Sequence, residues 1–160
     1  MHILWYRFVR PILSSITRGV GETIYNTLVK PQINNFMGKI FENICQQYLF
    51  HHRVYGTLPF AIGNVGRWWG NNPKKKCQEE IDIMAVQDSS ALFGECKWRN
   101  APIDMDVVHV LIERGELFQF SEKYYMLFSK SGFTQSVIDY AKDKSNKMGL
   151  ISYDQICELE

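Results

Sequence analysis

The sequence predicts an α/β protein with a mixed sheet flanked by helices. Three observations carry that expectation. The second half of the chain alternates apolar strand-like runs with amphipathic helical stretches, the pattern of a sheet covered by helices. A long segment before it, "NNFMGKIFENICQQYLF", has helical period. Between the two, "EEIDIMAVQDSSALFGECKWR" reads as a hairpin of two apolar strands about a polar turn.

The elements follow in order. The first thirty-odd residues are punctuated by Gly19, Gly21 and Pro31, with a short helix expected near Gly21 to Leu28. In the long helical segment Met37, Ile40, Phe41, Ile44, Cys45 and Tyr48 follow the i, i+3, i+4 spacing of one buried face. Asn34 or Asn35 can cap its start. Glu42 lies at the flank of that stripe. A strand is expected near Phe60, followed by a turn-rich stretch with Trp68 and Trp69 and the basic run Lys74, Lys75, Lys76. After the hairpin, residues 105–120 read as a helix capped by Asp104. "YYMLFSK" reads as a strand, "GFTQSVIDYAKDKSNK" as a helix and "GLISYDQI" as a last strand. Residues 1–33 are expected to form an N-terminal docking segment and residues 34–160 the main domain.

Bulk properties narrow the function classes. The chain has 160 residues, 22% of them charged, and a net charge of +1. No global field draws it to nucleic acid or membrane, so any such case rests on local clusters. The apolar N-terminal run is interrupted by Arg7, Arg10 and Pro11 and is too short for a membrane span, so no membrane partner is expected. The four cysteines show no C-x-x-C or zinc-type spacing, which suits reduced thiols in the cytoplasm. A Walker-type G-x-x-x-x-G-K-[ST] loop is absent from the 160 residues, which excludes nucleotide hydrolysis by that route.

The chemistry lies in the hairpin. Glu80 and Asp82 share one face of the first strand, with Ile81, Ile83 and Ala85 expected on the other. Glu95 and Lys97 share a face of the second strand. An even-length turn such as Ser89-Ser90 sets Asp82 opposite Lys97 and Met84 opposite Glu95, so the charged faces coincide. Neighbouring carboxylates raise each other's titration, and a divalent cation removes that repulsion. Hard oxygen ligands suit magnesium or manganese, and a lysine beside them can orient water or offset charge on a phosphoryl group. A solvated cross-strand pair of Asp82 and Lys97 fits the same residues, and spacing alone does not choose between the two readings.

The combination of helix-borne Glu42, "EEIDIMAV" and "LFGECKW" resembles the PD-(D/E)XK nuclease superfamily. That resemblance implies a restriction-endonuclease-like core and a site of Glu42, Asp82, Glu95 and Lys97. It implies Asp82 and Glu95 as metal ligands, Glu80 as an accessory one, and Mg2+ or Mn2+ as cofactor. The motifs "LWYRFVRP", "MGKIFENIC", "GRWWG", "EIDIMA", "FGECKW" and "YYMLFSKSGFT" further resemble the nuclease-like C-terminal domain of archaeal and bacterial P-loop ATPases. The implied activity is magnesium-dependent hydrolysis of DNA. The implied alternative is a catalytically inactive module that docks a P-loop ATPase, a companion chain or DNA; an oligomer is open on either. Ile81 stands where the superfamily name has proline, and no Q-x-x-x-Y helix motif is present.

Arg67 and Trp69, extended by Lys74, Lys75 and Lys76, are the candidate nucleic-acid contacts, through stacking and phosphate pairing. Adjacent tryptophans on a strand point opposite ways, so at most one faces a ligand. One tryptophan in the core, the other over the sheet edge and a solvated lysine loop fit the sequence as well.

Overall fold

The computed structural model describes residues 2–158. Its chain divides into two compact units, Met1–Lys39 and Ile40–Glu160.

The first unit is helical. Its turns run over residues 2–17, break at Gly19, and resume from residue 21 towards helix α1 (Lys30–Phe50). The break has a physical cause. Gly19 adopts φ 79°, a left-handed conformation that costs glycine little, and Gly19 N–H and Val20 N–H close on the carbonyls of Ile16 and Ser15. Two wide π-turns, Trp5–Val9 and Tyr25–Val29, interrupt the helical path. Phe8 packs edge-on against Phe36 at 5.2 Å, and the Arg7 guanidinium lies 5.3 Å from the Phe36 ring. Trp5, Tyr6, Leu13, Tyr25 and Leu28 remain exposed.

The second unit holds a five-stranded sheet in the order β1 (Gly66–Asn72), β2 (Cys77–Gln87), β3 (Ser90–Lys97), β4 (Glu122–Ser129), β5 (Met148–Ser152). The β1–β2 and β2–β3 pairs are antiparallel; β3–β4 and β4–β5 are parallel. The parallel pairs need crossovers, and helices α2 (Met105–Gly115) and α3 (Gln135–Lys142) supply them. Val108 and Leu111 of α2 and Val137 of α3 pack with Ile81, Phe93, Tyr125 and Leu127 on one sheet face. Phe41, Cys45 and Leu49 of α1 pack with Ile83, Ala85, Leu92 and Phe128 on the other. Short helix α4 (Tyr153–Cys157) adds Tyr153 and Ile156 to that second face. The mixed α/β sheet flanked by helices is therefore observed.

β3 is the central strand, buried on both faces from Ala91 to Cys96. Each large apolar side chain buried this way contributes about 1.5–3 kcal/mol relative to exposure. Phe93 meets Phe118, Phe120 and Tyr125 with centroids at 5.4, 6.5 and 5.9 Å. Glu95 is the one charged residue in that buried run.

Several sequence expectations change. The first strand is not near Phe60 but at Gly66–Asn72, because two bulky aromatics beside Gly70 favour an extended edge more than a turn. The helix expected over 105–120 ends at Gly115, where a β-carbon would collide with the Tyr125 ring. The last strand stops at Ser152, which opens α4 with a capping box to Gln155. The hairpin turn is Asp88-Ser89, not Ser89-Ser90, with Asp88 at φ 52°. Both turns are even, so the parity stands, but the register moves by two residues: Met84 faces Phe93, not Glu95.

Among the described residues no helix is long and apolar enough to cross a membrane. Cys45 and Cys96 are free and buried; Cys77 and Cys157 are free and exposed.

Candidate active site

A β-bulge organises the site. β1 pairs Gly66 with Met84 and Trp68 with Ile81, so Asp82 and Ile83 of β2 together oppose Arg67 of β1. The extra residue reverses the alternation: Ile81 enters the α2 face, while Ile83 and Ala85 enter the α1 face. The expectation that Ile81, Ile83 and Ala85 share a face is thus corrected. The bulge also turns Asp82 towards β3. Its Oδ2 accepts the Cys96 backbone N–H at 2.8 Å, and its carbonyl accepts from Gln46 Nε2 of α1 at 3.2 Å.

Burial is the main cause that pushes the Asp82 carboxyl up to about 6, with the Glu95 charge next. The Cys96 N–H and the Lys97 ammonium pull the other way, and Glu80 adds a further push upward. Asp82, Glu95 and Lys97 therefore form one electrostatic group.

Glu95 is 6% exposed, and a buried carboxylate needs partners. It has two. Lys97 Nζ donates to Oε1 at 2.5 Å, and Arg114 Nη1 of α2 donates to Oε2 at 3.0 Å. Arg114 also donates through Nε to Glu79 Oε2 at 2.8 Å. That bond is the largest cause holding the Glu79 carboxyl below its ordinary range, against the push of burial. Burial works against the charged Arg114 guanidinium, yet its bond to Glu79 and the charges of Glu95 and Glu79 keep its pKa raised.

A second ion cluster lies on the α1 face. Arg67 pairs with Glu42 of α1 and, at 3.0 Å, with Glu80 of β2. Sequence-predicted Glu42 and Glu80 are thus brought together by Arg67, while Glu95 and Lys97 sit with Arg114. Asp82 is placed between the two groups on the bulge.

Glu95, Lys97 and Arg114 line an open cleft of about 290 Å3, shared with Arg99, Asp104 and Asp106. Trp69 is 73% exposed, while Trp68 packs edge-on against Phe118 at 5.0 Å. Lys75 pairs with Glu113 at 2.7 Å and Glu79 at 3.7 Å. Lys74 and Lys76 sit exposed in the β1–β2 turn, which Asn72 Oδ1 organises by accepting from the N–H groups of Lys74 and Lys75.

Sequence reasoning missed Arg114, Glu79 and Gln46. Arg114 stands three residues after buried Leu111, at the flank of the α2 stripe. Glu42 holds the same kind of position on α1, and that shared placement was the available signal.

Among the described residues no group of three or more His, Cys, Asp or Glu is arranged to hold a metal ion. The donor set still suits magnesium. That ion binds through one or two carboxylates and keeps several waters; Asp82 and Glu95 are two such carboxylates that act on each other electrostatically, with Lys97 and Arg114 pairing with Glu95.

A model of a family described as archaeal and bacterial proteins of unknown function matches residues 5–114. The uncharacterized protein MJECL04 of Methanocaldococcus jannaschii is 31% identical over 133 residues, which cover 79% of this chain and 28% of the relative. The chain thus spans under a third of that relative's length. Protein VC1899 from Vibrio cholerae, a crystal structure, is similar with a TM-score of 0.50 at 18% identity, covering 74% of this chain and 30% of that one. That likeness concerns the fold alone. The crystal structure of AF1548, a protein of unknown function, gives a TM-score of 0.43 at 15% identity over 72% of this chain and 65% of that one.

Proposed function

The chain belongs to the DUF234 family of archaeal and bacterial proteins of unknown function, and from that premise we propose that its second unit is a metal-dependent nuclease of the PD-(D/E)XK type, acting on DNA phosphodiester bonds. The carrying observation is the bulge that turns Asp82 towards β3, into one electrostatic group with Glu95 and Lys97.

On this reading Asp82 and Glu95 hold Mg2+ or Mn2+, with Glu80 as an accessory ligand. The ion, when bound, offsets negative charge on the phosphoryl group. Lys97 is the residue that acts on water: its side chain is 31% exposed at the cleft, and its ammonium can hold a water or a phosphoryl oxygen by charge-assisted hydrogen bonds. Glu42 assists from α1 through water, with Arg67 fixing its carboxylate. Trp69 offers an exposed indole for base stacking, and Lys74 and Lys76 offer charge to the backbone.

The test is incubation of the protein with plasmid and linear DNA plus magnesium or manganese, beside Lys97→Ala and a chelator control. Cleavage that disappears in both controls is expected. No cleavage by the parent, with no heat on titrating manganese, overturns the reading.

A specific observation favours a second reading, a module that docks a P-loop ATPase or companion chain. The first unit carries an apolar groove of about 520 Å3, lined by residues that include Leu4, Phe8, Ile12, Tyr25 and Val29. Co-purification with such a chain under native expression, lost in Tyr25→Asp, is the expected result; retention in that variant counts against the groove.

A further inference from the structure

An arginine on α2 stands behind the carboxylate that the proposed site depends on. Arg114 Nε is held by Glu79 Oε2 at 2.8 Å, and Arg114 Nη1 holds Glu95 Oε2 at 3.0 Å. Glu79 is itself fixed, with Asn72 Nδ2 at 3.4 Å and Lys75 Nζ at 3.7 Å from its Oε1. The anchor is built into the fold: Glu79 and Glu95 have side chains only 9% and 8% exposed, and Arg114 19%. Lys97 is more exposed at 31%, and its ammonium pairs with Glu95 Oε1.

The two grips on Glu95 are therefore unequal. The Arg114 side is braced by a second carboxylate and a turn; the Lys97 side is a single bond at the cleft. The Lys97 contact is the shorter of the two, but it is the more exposed and the unbraced one. Were a divalent cation to take Oε1, the Lys97 ammonium would be released towards the cleft.

We propose that Arg114, anchored by Glu79, is the positioning residue of this site, fixing Glu95 through Oε2 so that Oε1 and Lys97 form its exchangeable side. The inference rests on the metal-dependent reading for its role, and on the geometry alone for the fixing of Glu95. Partners of this kind behind a ligand typically change metal affinity by about 10–100-fold when removed.

Removing Arg114 alone mixes two opposite effects. It frees Glu95, which weakens cation binding, and it deletes a positive charge, which strengthens it. The double variant E79Q/R114Q separates them, because it removes one negative and one positive charge and leaves the net charge unchanged. The glutamines can bond each other and keep the packing between α2 and β2.

The experiment titrates MnCl2 by calorimetry into the wild type and E79Q/R114Q, and measures the Glu95 side-chain couplings of both by NMR. Expected are binding weakened about tenfold or more in the double variant, and a Glu95 side chain that passes from one rotamer to averaging. Equal manganese affinity, or a Glu95 rotamer that stays fixed, overturns the proposal; a merely structural role lowers the melting temperature without either change. If the wild type binds no manganese, the metal-dependent reading fails and the Glu95 couplings decide this inference by themselves. Should the double variant not fold by circular dichroism, E79Q/R114M carries the same charge balance with the arginine's apolar stem kept.

Discussion

The Cys96 backbone N–H donates to Asp82 Oδ2 at 2.8 Å, although Cys96 and Asp82 lie on different strands and beyond the last regular pair, Ile83 with Gly94. Where the β2–β3 ladder stops, the Asp82 side chain takes over one strand's unsatisfied donor. The bulge frees that side chain, and the frayed ladder gives it a partner.

Asp82 makes stability pH-dependent. Its carboxyl titrates near 6 in the folded protein, against about 4 for an unfolded chain. Between those values the folded state binds more protons than the unfolded state. Stability therefore falls as pH rises through that window, by up to about 3 kcal/mol. Asp82→Asn keeps an acceptor for Cys96 and removes the charge. Urea melts from pH 4 to 8 are expected to show a flatter profile in the variant and higher stability at neutral pH. Parallel profiles for parent and variant would sink this assignment.

Gly94 is expected to be intolerant of any side chain. It faces Ile83 across the ladder, and a β-carbon there would come within 2.9 Å of Ile83 Cβ. The bulge is what presses Ile83 over Gly94 on the α1 face. Gly94→Ala is predicted to destabilise by about 1–3 kcal/mol through overpacking. Thermal unfolding checks it, and a melting point equal to the parent's would mean that the bulge relaxes freely.

The β1–β2 turn depends on one buried side chain. Asn72 is 2% exposed, and its Oδ1 accepts from the N–H groups of Lys74 and Lys75 at 2.9 and 3.1 Å. Asn72→Ala leaves both donors to water and Glu79 with one partner fewer. A loss of about 1–2 kcal/mol is expected, comparable to removing a helix cap. Denaturant midpoints measure it, and Asn72→Asp, which keeps the Oδ acceptor, is expected to recover part of the loss only.

The sequence reading reached the main helices, the alternation of strands and helices in the second half and the hairpin because period and burial are local properties. α1 shows this well: the stripe through Phe41 and Cys45 is readable at i and i+4, and both are buried. The bulge was not readable. Whether Ile81 and Ile83 share a face depends on one unpaired residue opposite Arg67, and nothing in the local alternation marks it. Parity of the turn was readable, but its placement was not, since Asp88-Ser89 and Ser89-Ser90 are equally polar. Of the site, Asp82, Glu95 and Lys97 came from spacing with a familiar pattern behind it. Arg114 did not, because its role exists only once α2 lies across β2 and β3.

Trp68 and Trp69 are adjacent in sequence and opposite in expected effect. Trp68 packs edge-on against Phe118 at 5.0 Å and folds over Gly70, where a β-carbon would strike its ring. Trp69 pairs with Glu80 in the ladder and leaves 73% of its surface exposed. Trp68→Ala removes part of the α2-face core, and about 2–4 kcal/mol of stability is expected to go with it. Trp69→Ala touches no core contact, so its effect on stability is expected within about 0.5 kcal/mol. If Trp69 stacks on a base, the same variant loses about 1–3 kcal/mol of single-stranded DNA affinity. Melting curves and fluorescence titrations with a single-stranded oligonucleotide separate the two residues. A Trp69 variant that melts early would show that the indole supports the sheet edge; one that binds the oligonucleotide as tightly as the parent would remove it from the DNA surface.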